Sequence, residues 1–254
     1  MNRLQGKTAI ITGATSGIGL KTAELFAAKG VHLVLTGRRS ERLAKISDEL
    51  IKEYDITVDT AAFDVRKKEA CQSFVESLNT SIDILVNNAG LAKSTDPVYD
   101  ASFEDWDVMI DTNVKGLLYL SRLISPKMKK RNTGHIINIG STAGHESYSG
   151  GVVYTATKHA VKAITESTKK DLHGTQVRVS MISPGLVETE FSEVRFDGDK
   201  VKASEVYEGM KPLVAQDIAE IIVFVANRPP HVNIIDTIIY PTAQSSATMV
   251  HRKT

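Results

Sequence analysis

Short apolar, β-branched runs alternate with longer helical patterns almost from one end of the chain to the other, and few folds accept that rhythm. Lys7–Thr12, His32–Thr36, Thr57–Asp64, Ile84–Asn87, His135–Ile139, Val177–Ile182 and Ile234–Tyr240 read as seven strands. Several are apolar throughout, as a strand covered on both faces must be. Helical patterns lie between them at Ile18–Lys29, Ser40–Tyr54, Lys67–Asn79, Phe103–Arg131, Val152–His173 and Ala215–Asn227, with Gly30, Gly134 and Gly174 placed where helices should stop. The pattern predicts an α/β fold: a single-domain, Rossmann-type doubly wound sheet of seven mostly parallel strands with helices on both faces. No repeat or linker divides residues 1–254, so one domain is expected. Only the stretch from 185 to 212 breaks the rhythm. It is charged, contains Gly198 and Gly209 and has weak helical pattern, and so long an irregular stretch predicts a flap over the active site.

The first strand runs into Thr12-Gly13-Ala14-Thr15-Ser16-Gly17-Ile18-Gly19, which opens the first helix. Gly13 permits the tight turn, Gly17 lets the backbone approach a diphosphate, and Gly19 allows close helix–strand packing. The helix N-terminus offers free N–H groups and a positive dipole end to the anion. Glycines alone are weak grounds; their strand–turn–helix setting is what points to a dinucleotide. An acidic residue at the end of the second strand would favour NAD, but Thr36-Gly37-Arg38-Arg39 stands there. Arg38, with Arg39, is suited to a 2′-phosphate, since guanidinium matches phosphate geometry. The expected cofactor is NADP. Asp64-Val65, after the third strand, falls where an adenine edge would lie.

Tyr154 and Lys158 stand four residues apart on a predicted helix, so phenol and ammonium leave the same face. A fixed positive charge near a phenol favours phenolate and lowers its pKa from about 10. Ser141, in Ile139-Gly140-Ser141-Thr142-Ala143-Gly144, supplies a hydroxyl to hold a carbonyl oxygen beside that phenol. Together these residues predict hydride transfer with Tyr154 as acid and base. Tyr148 also lies near Ser141 but has no lysine four residues on, and reads as a pocket wall. His135 begins a strand and His173 ends a helix, where a histidine complements the dipole. No His, Cys or carboxylate group has metal-site spacing, and no metal is expected.

Composition narrows the partners. The 254 residues carry a formal charge of +1, which gives no electrostatic case for nucleic acid or an anionic membrane. One cysteine, Cys71, rules out an internal disulfide. No apolar stretch approaches the ~20 residues of a membrane span, and Met1-Asn2-Arg3 leads straight into a strand without the pattern of a signal peptide. The expected location is cytoplasmic and the expected partner a small-molecule substrate.

These motifs resemble, in order, those of the short-chain dehydrogenase/reductase family. The matches are Thr12-Gly-x-x-x-Gly-x-Gly19, Asn87-Asn88-Ala89-Gly90, Asn113, Ser141, Tyr154-x-x-x-Lys158 and Pro184-Gly185, spread from Lys7 to at least Tyr240. Thr36-Gly-Arg-Arg39, Asp83 to Leu91, Ile110 to Gly116, Gly134 to Gly144, Asp171 to Thr175, Pro184 to Ser192 and Val194-Arg-Phe196 narrow the likeness to NADP-dependent serine/3-hydroxy acid dehydrogenases. The resemblance implies that Tyr154 is the acid/base, that Lys158 binds the nicotinamide ribose, and that Ser141 orients the carbonyl. It implies that Asn113 holds a water linking Lys158 to solvent, and that Asn87, Ala89 and Gly90 line the cofactor cleft, the Asn87 amide tying neighbouring strands. Backbone at Ile139, Pro184, Gly185 and Val187, with the Thr189 hydroxyl, would hold nicotinamide and diphosphate. It also implies a homotetramer, assembled on Phe103–Arg131 and Val152–His173. The tail from Thr237 to Thr254 matches the group only in outline, leaving its role in pocket or interface open.

The expected substrate is a small 3-hydroxy acid, whose carboxylate needs a cation. Arg195 in the flap is the candidate clamp, set against a salt bridge with Glu193 or Asp197. Two other functions fit the same motifs: a broad carbonyl or 3-ketoacyl reductase working on neutral substrates, and a nucleotide-binding sensor without turnover. The intact Ser141, Tyr154 and Lys158 set argues against the sensor, which has no need of an acid/base.

Overall fold

The computed structural model describes residues 1–253. Strand β1 (Thr8–Thr12) is buried along its whole length and lies inside the sheet, with β2 (His32–Gly37) on one side and β4 (Ile84–Asn87) on the other. Its side chains alternate between two cores, as a period of two requires. Ala9 and Ile11 join Phe26, Leu33, Leu35, Leu43, Ile218 and Ile222, beneath α1 (Gly17–Ala27), α2 (Ser40–Glu53) and the later helix over Ala215–Ala226. Ile10 points the other way into Val34, Phe74, Leu85, Ile124 and Met128, beneath α3 (Lys68–Ser77) and the helix over Leu117–Arg131. Burial on both sides is why these strands read as apolar runs.

The seven strands expected from the sequence are present, and every pairing between them is parallel. With β3 (Val58–Ala62), β5 (Gly134–Ile139), β6 (Val177–Pro184) and a last strand at Asp236–Ile239, the order is β3-β2-β1-β4-β5-β6-last. The order in which strands are added reverses between β1 and β4, which opens a crevice at their carboxyl ends. Thr12 pins that crevice: its Oγ1 accepts from Asn88 N at 2.9 Å and Ala89 N at 2.8 Å, while Asn88 Nδ2 donates to Thr12 O at 2.8 Å.

Differences from the sequence reading fall at element ends and in the irregular segment. The expected helix Phe103–Arg131 is α4 (Phe103–Ile110) and α5 (Leu117–Arg131) joined by a π-helical turn at Asp111–Gly116. Local periodicity does not reveal such an insertion, because the turn buries Thr112, Asn113 and Gly116 rather than a continuing apolar stripe. Gly30 and Gly174 do take positive φ after their helices, but α5 stops on Asn132 at φ 52° and Gly134 instead opens β5. Helix α6 runs Val152–Asp171. Beyond β6 the irregular segment holds more order than its sequence suggests. A two-residue β7 (Val187–Glu188) pairs with β8 (Leu213–Val214), and between them lie α7 (Glu190–Arg195) and α8 (Lys200–Glu205), ahead of α9 (Ala215–Ala226) and β9 (Asp236–Ile239). These pieces are too short for a helical period to stand out. Among the described residues no helix is long and apolar enough to cross a membrane.

Candidate active site

Six strand ends meet along one edge of the sheet and leave a cleft of about 430 Å³. Its floor follows the strands: Gly13 to Ile18 after β1, Gly37 to Arg39 after β2, Asp64 and Val65 after β3, Asn88 to Leu91 after β4, Gly140 to Ala143 after β5, and Pro184 to Val187 after β6. Thr189, Tyr148, Tyr154, Lys158 and Arg195 complete the wall. Three of the residues named from sequence stand behind the lining instead. Gly19 packs so tightly that a Cβ would come within 2.5 Å of Asn88 Nδ2. Asn87 is buried under the cleft rather than lining it, and its Nδ2 donates to Asn138 Oδ1 at 2.9 Å and Ser121 Oγ at 3.0 Å, tying β4 to β5 and α5. Asn113, in the π-helical turn, is also buried.

The glycine turn has the features a diphosphate needs. Gly17 sits at φ 54°, a conformation that favours glycine, and opens α1. No side chain caps that helix and its first turn contains no acid, so its N-terminal amides and positive dipole end are left for an anion. Beside it, Arg39 donates from Nε and Nη2 to Thr15 Oγ1 at 3.0 and 2.7 Å, and from Nη2 to Ser16 Oγ at 2.9 Å. Arg38 is exposed on the cleft rim. Asp64 lines the cleft, with its carboxylate chelated by Arg66, Nη2 to Oδ2 being 2.6 Å. Burial opposes that charge, but the Arg66 hydrogen bonds outweigh it and hold the carboxyl below its usual range. The residues present therefore fit a 2′-phosphorylated dinucleotide: an uncapped helix end, two arginines and no carboxylate after β2.

At the other end, α6 presents Tyr154 and Lys158 one turn apart, with Lys158 Nζ 5.8 Å from the phenol ring centre. Lys158 is almost fully buried and donates to Ile139 O at 2.9 Å. Burial pulls its pKa down to about 8. Asn113 donates to Leu91 O at 2.8 Å and Thr157 Oγ1 at 3.1 Å and accepts from Leu91 N at 2.9 Å. Its side-chain amide is thus occupied within the protein, fixing the β4 loop against α6. Ser141 Oγ accepts from Ala143 N at 3.1 Å and contacts the phenol.

The phenol itself differs from the sequence expectation. Burial pushes Tyr154 up to about 12, and Tyr148 adds to the rise. Arg195 and the Ser141 hydrogen bond oppose it without prevailing. Lys158 does not offset that rise here: its ammonium is turned to Ile139 O. The cation over the phenol is Arg195, whose guanidinium carbon stands 5.1 Å from the Tyr154 ring centre and 5.3 Å from that of Phe191. Among the described residues it has no carboxylate partner, and its buried Nε lacks a hydrogen bond. Asp197, offered above as a competitor, pairs with Lys93.

Several cleft residues had no role from the sequence. Phe191, Val194 and Tyr207 come from the segment after β6, and Gln244 and Ala247 from the tail. Gln244 is buried and accepts from Leu186 N at 2.9 Å, and Ala247 N donates to Glu146 Oε2 at 2.9 Å. The tail therefore shapes the pocket; of the stretch Thr237–Thr254, Thr254 lies outside the described residues. His135 is buried with Nε2 2.8 Å from Ser180 Oγ, and burial drives its pKa well below the usual value, so it packs as a neutral ring.

Comparison with known proteins agrees with this geometry. The family model for short chain dehydrogenase matches residues 7–200. An NADP-dependent 3-hydroxy acid dehydrogenase of Schizosaccharomyces pombe is 44% identical over 257 residues, spanning 100% of this chain and 99% of its own. The NADP-dependent 3-hydroxy acid dehydrogenase YdfG of Salmonella typhi is 49% identical over 248 residues, 96% and 98% of the two chains. A serine dehydrogenase solved in closed form with NADP+ superposes with a TM-score of 0.91 at 47% identity, covering 97% of this chain and 100% of that one. The serine dehydrogenase from Escherichia coli superposes at 0.81 and 42% identity, covering 94% and 99%. With its cleft, its glycine turn and its matched residues taken together, the chain belongs to the short-chain dehydrogenase family.

Proposed function

We propose that the protein is an NADP-dependent dehydrogenase that interconverts a small 3-hydroxy acid, of the serine, allo-threonine or 3-hydroxypropionate type, and its oxo acid. NADP dependence and action on a CH–OH group follow from the family and from relatives 44–49% identical over nearly the whole chain. The substrate rests on one observation: a guanidinium with no carboxylate partner, held over the Tyr154 ring inside the cleft. A 3-hydroxy acid has its carboxylate two bonds from the reacting carbon, so a cation beside the acid/base is the right match.

Bound in the cleft, the nicotinamide supplies the hydride acceptor or donor. Tyr154 takes the hydroxyl proton in oxidation and returns it in reduction. Ser141 Oγ donates to the carbonyl oxygen as it develops. Lys158 fixes the nicotinamide ribose and offsets the phenolate. A phenol at about 12 is a poor base at neutral pH, so ammonium turned from Ile139 O toward the phenol is the adjustment that activates it. Asn113 orders the chain around Lys158 and through it a water path for the proton. Gly13 to Ile18 cradle the diphosphate with Gly19 packed behind them, Arg38 and Arg39 meet the 2′-phosphate, and Asp64-Val65 border the adenine. Ala89, Gly90, Pro184, Gly185, Val187 and Thr189 enclose the nicotinamide half. Residues 185–212 serve as the flap of a single domain, and Tyr148 as a wall.

A second reading, a carbonyl reductase for bulkier neutral substrates, is favoured by Leu91, Phe191 and Val206, which add an apolar wall to the same cleft. Absorbance at 340 nm with NADP or NAD decides between them, using L-serine, L-allo-threonine, 3-hydroxypropionate, 3-hydroxyisobutyrate and a neutral secondary alcohol. Turnover confined to the hydroxy acids supports the first reading, and turnover with the neutral alcohol alone replaces it. Phe103 and Tyr99, beside or on α4, are 72% and 81% exposed, and Leu118 on α5 is partly so. A homotetramer assembled on α4, α5 and α6 is part of the same proposal, and a light-scattering mass tests it.

A further inference from the structure

Helix α7 begins near the glycine turn and ends against the phenol. Its first residue, Glu190, reaches back across the cleft to two guanidiniums: Oε2 to Arg39 Nη1 at 2.8 Å and Oε1 to Arg42 Nη1 at 2.8 Å. Its last residue is Arg195. Arg39 is the side chain that also grips Thr15 and Ser16. Arg39 and Arg42 thus share one carboxylate, and that carboxylate belongs to the helix bearing the residue over Tyr154.

We propose that Glu190 is a specificity-determining residue that occupies, on Arg39 and Arg42, the place of the cofactor's 2′-phosphate. A phosphate dianion arriving there meets guanidiniums already neutralised, and repels the carboxylate that neutralises them. It binds by displacing the tie that holds the start of α7. A cofactor without the 2′-phosphate leaves the tie intact. Against burial, Arg39 and Arg42 hold the Glu190 carboxyl down to about 2, but the three side chains are 40–52% exposed, so solvent screens the pairs and a dianion can take their place. The sequence hides this arrangement because Arg39 and Glu190 are 151 residues apart.

The inference rests on NADP as the cofactor and is tested with adenosine 2′,5′-bisphosphate and adenosine 5′-monophosphate, which differ only in the 2′-phosphate. Calorimetric titration of the whole protein gives the ratio of their affinities. Glu190→Gln is expected to raise that ratio by about three- to tenfold, through the bisphosphate alone. In the unaltered protein, hydrogen exchange at the α7 amides should quicken when the bisphosphate binds and stay unchanged with the monophosphate. A ratio unchanged or lowered in Glu190→Gln, or α7 exchange indifferent to the bisphosphate, overturns the proposal. If the bisphosphate binds the unaltered protein no better than the monophosphate, the NADP reading fails as well.

Discussion

The two halves of the cleft are built differently. The adenosine half consists of strand ends and the loops that leave them directly, and its spacing is fixed by contacts such as Thr12 with Asn88 and Ala89. The substrate half is assembled from pieces far apart in sequence: Tyr154 on α6, Arg195 on α7, Tyr207 after α8, and Gln244 and Ala247 in the tail. The first half is a consequence of the sheet, since a parallel order that reverses beside β1 must open a crevice there. The second is layered onto α6 by short elements, α7, α8 and the tail. A substitution in the first half should therefore change cofactor binding, and one in the second should change substrate use at constant cofactor affinity.

The largest effect is expected where the halves meet. Tyr154→Phe removes the proton carrier but keeps the ring beneath Arg195, and should cut turnover by about 10²–10⁴-fold. NADP affinity, measured by titration, should stay within about threefold, because a hydroxyl contributes one modest hydrogen bond. Turnover near the unaltered level would remove Tyr154 from the chemistry. Arg195→Ala is next. Losing a charge-assisted contact to a carboxylate should raise KM for L-serine or 3-hydroxypropionate roughly 10–100-fold with NADP affinity unchanged. An unchanged KM would rule out the clamp.

A matched pair of changes tests the contrast directly. Gly19→Ala drives a methyl into Asn88 and the Gly13 carbonyl, and overpacking of about 1–3 kcal/mol should weaken NADP binding by roughly 5–150-fold. Gln244→Ala releases the Leu186 amide that its Oε1 now accepts. That loss, about 1 kcal/mol, should raise the hydroxy-acid KM by roughly fivefold and leave the NADP titration alone. Equal shifts in NADP affinity from both changes would show that the halves are one mechanical unit.

This division also explains what the sequence made legible. Glycine spacing, the Arg38-Arg39 pair, and Ser141 with Tyr154 and Lys158 are each local signals, and the structure gathers them at one cleft because strand ends converge. Hydrogen-bond partners were less accessible. The pairing of Asp64 with Arg66 spans two residues, yet the sequence alone does not say which of the neighbouring cations, Arg66, Lys67 or Lys68, will turn inward. Gln244 against Leu186 depends on how the tail folds back over β6. The direction of the Tyr154 shift is hidden from the sequence for the same reason: a one-turn spacing places Lys158 beside the phenol, but depth of burial is a property of the assembled walls.

The buried pair of Lys158 and Tyr154 supplies the subtlest test. Lys158 is ordinarily protonated up to pH 10.5 but is held to about 8 in the folded protein. Below pH 8 both states carry the proton and the burial penalty is constant. Between 8 and 10.5 the unfolded chain binds the proton that the folded one has released, so this group makes stability rise with pH, by at most about 1.4 kcal/mol per unit. Tyr154 works the other way, but only above its ordinary value of 10. Burial also raises the Cys71 thiol from 9.0 to about 11, so it too works the other way from pH 9. Both groups are common to the unaltered protein and a Lys158 variant, and the difference between those two proteins belongs to the lysine. In the cofactor-free protein, replacing Lys158 with Met should abolish that rise, lowering the Tm difference between pH 10 and pH 8 by roughly 2–4 °C per kcal/mol removed. A difference equal to that of the unaltered protein would mean that Lys158 keeps its charge in the fold, and that the phenol beside it has a stronger cation than burial alone allows.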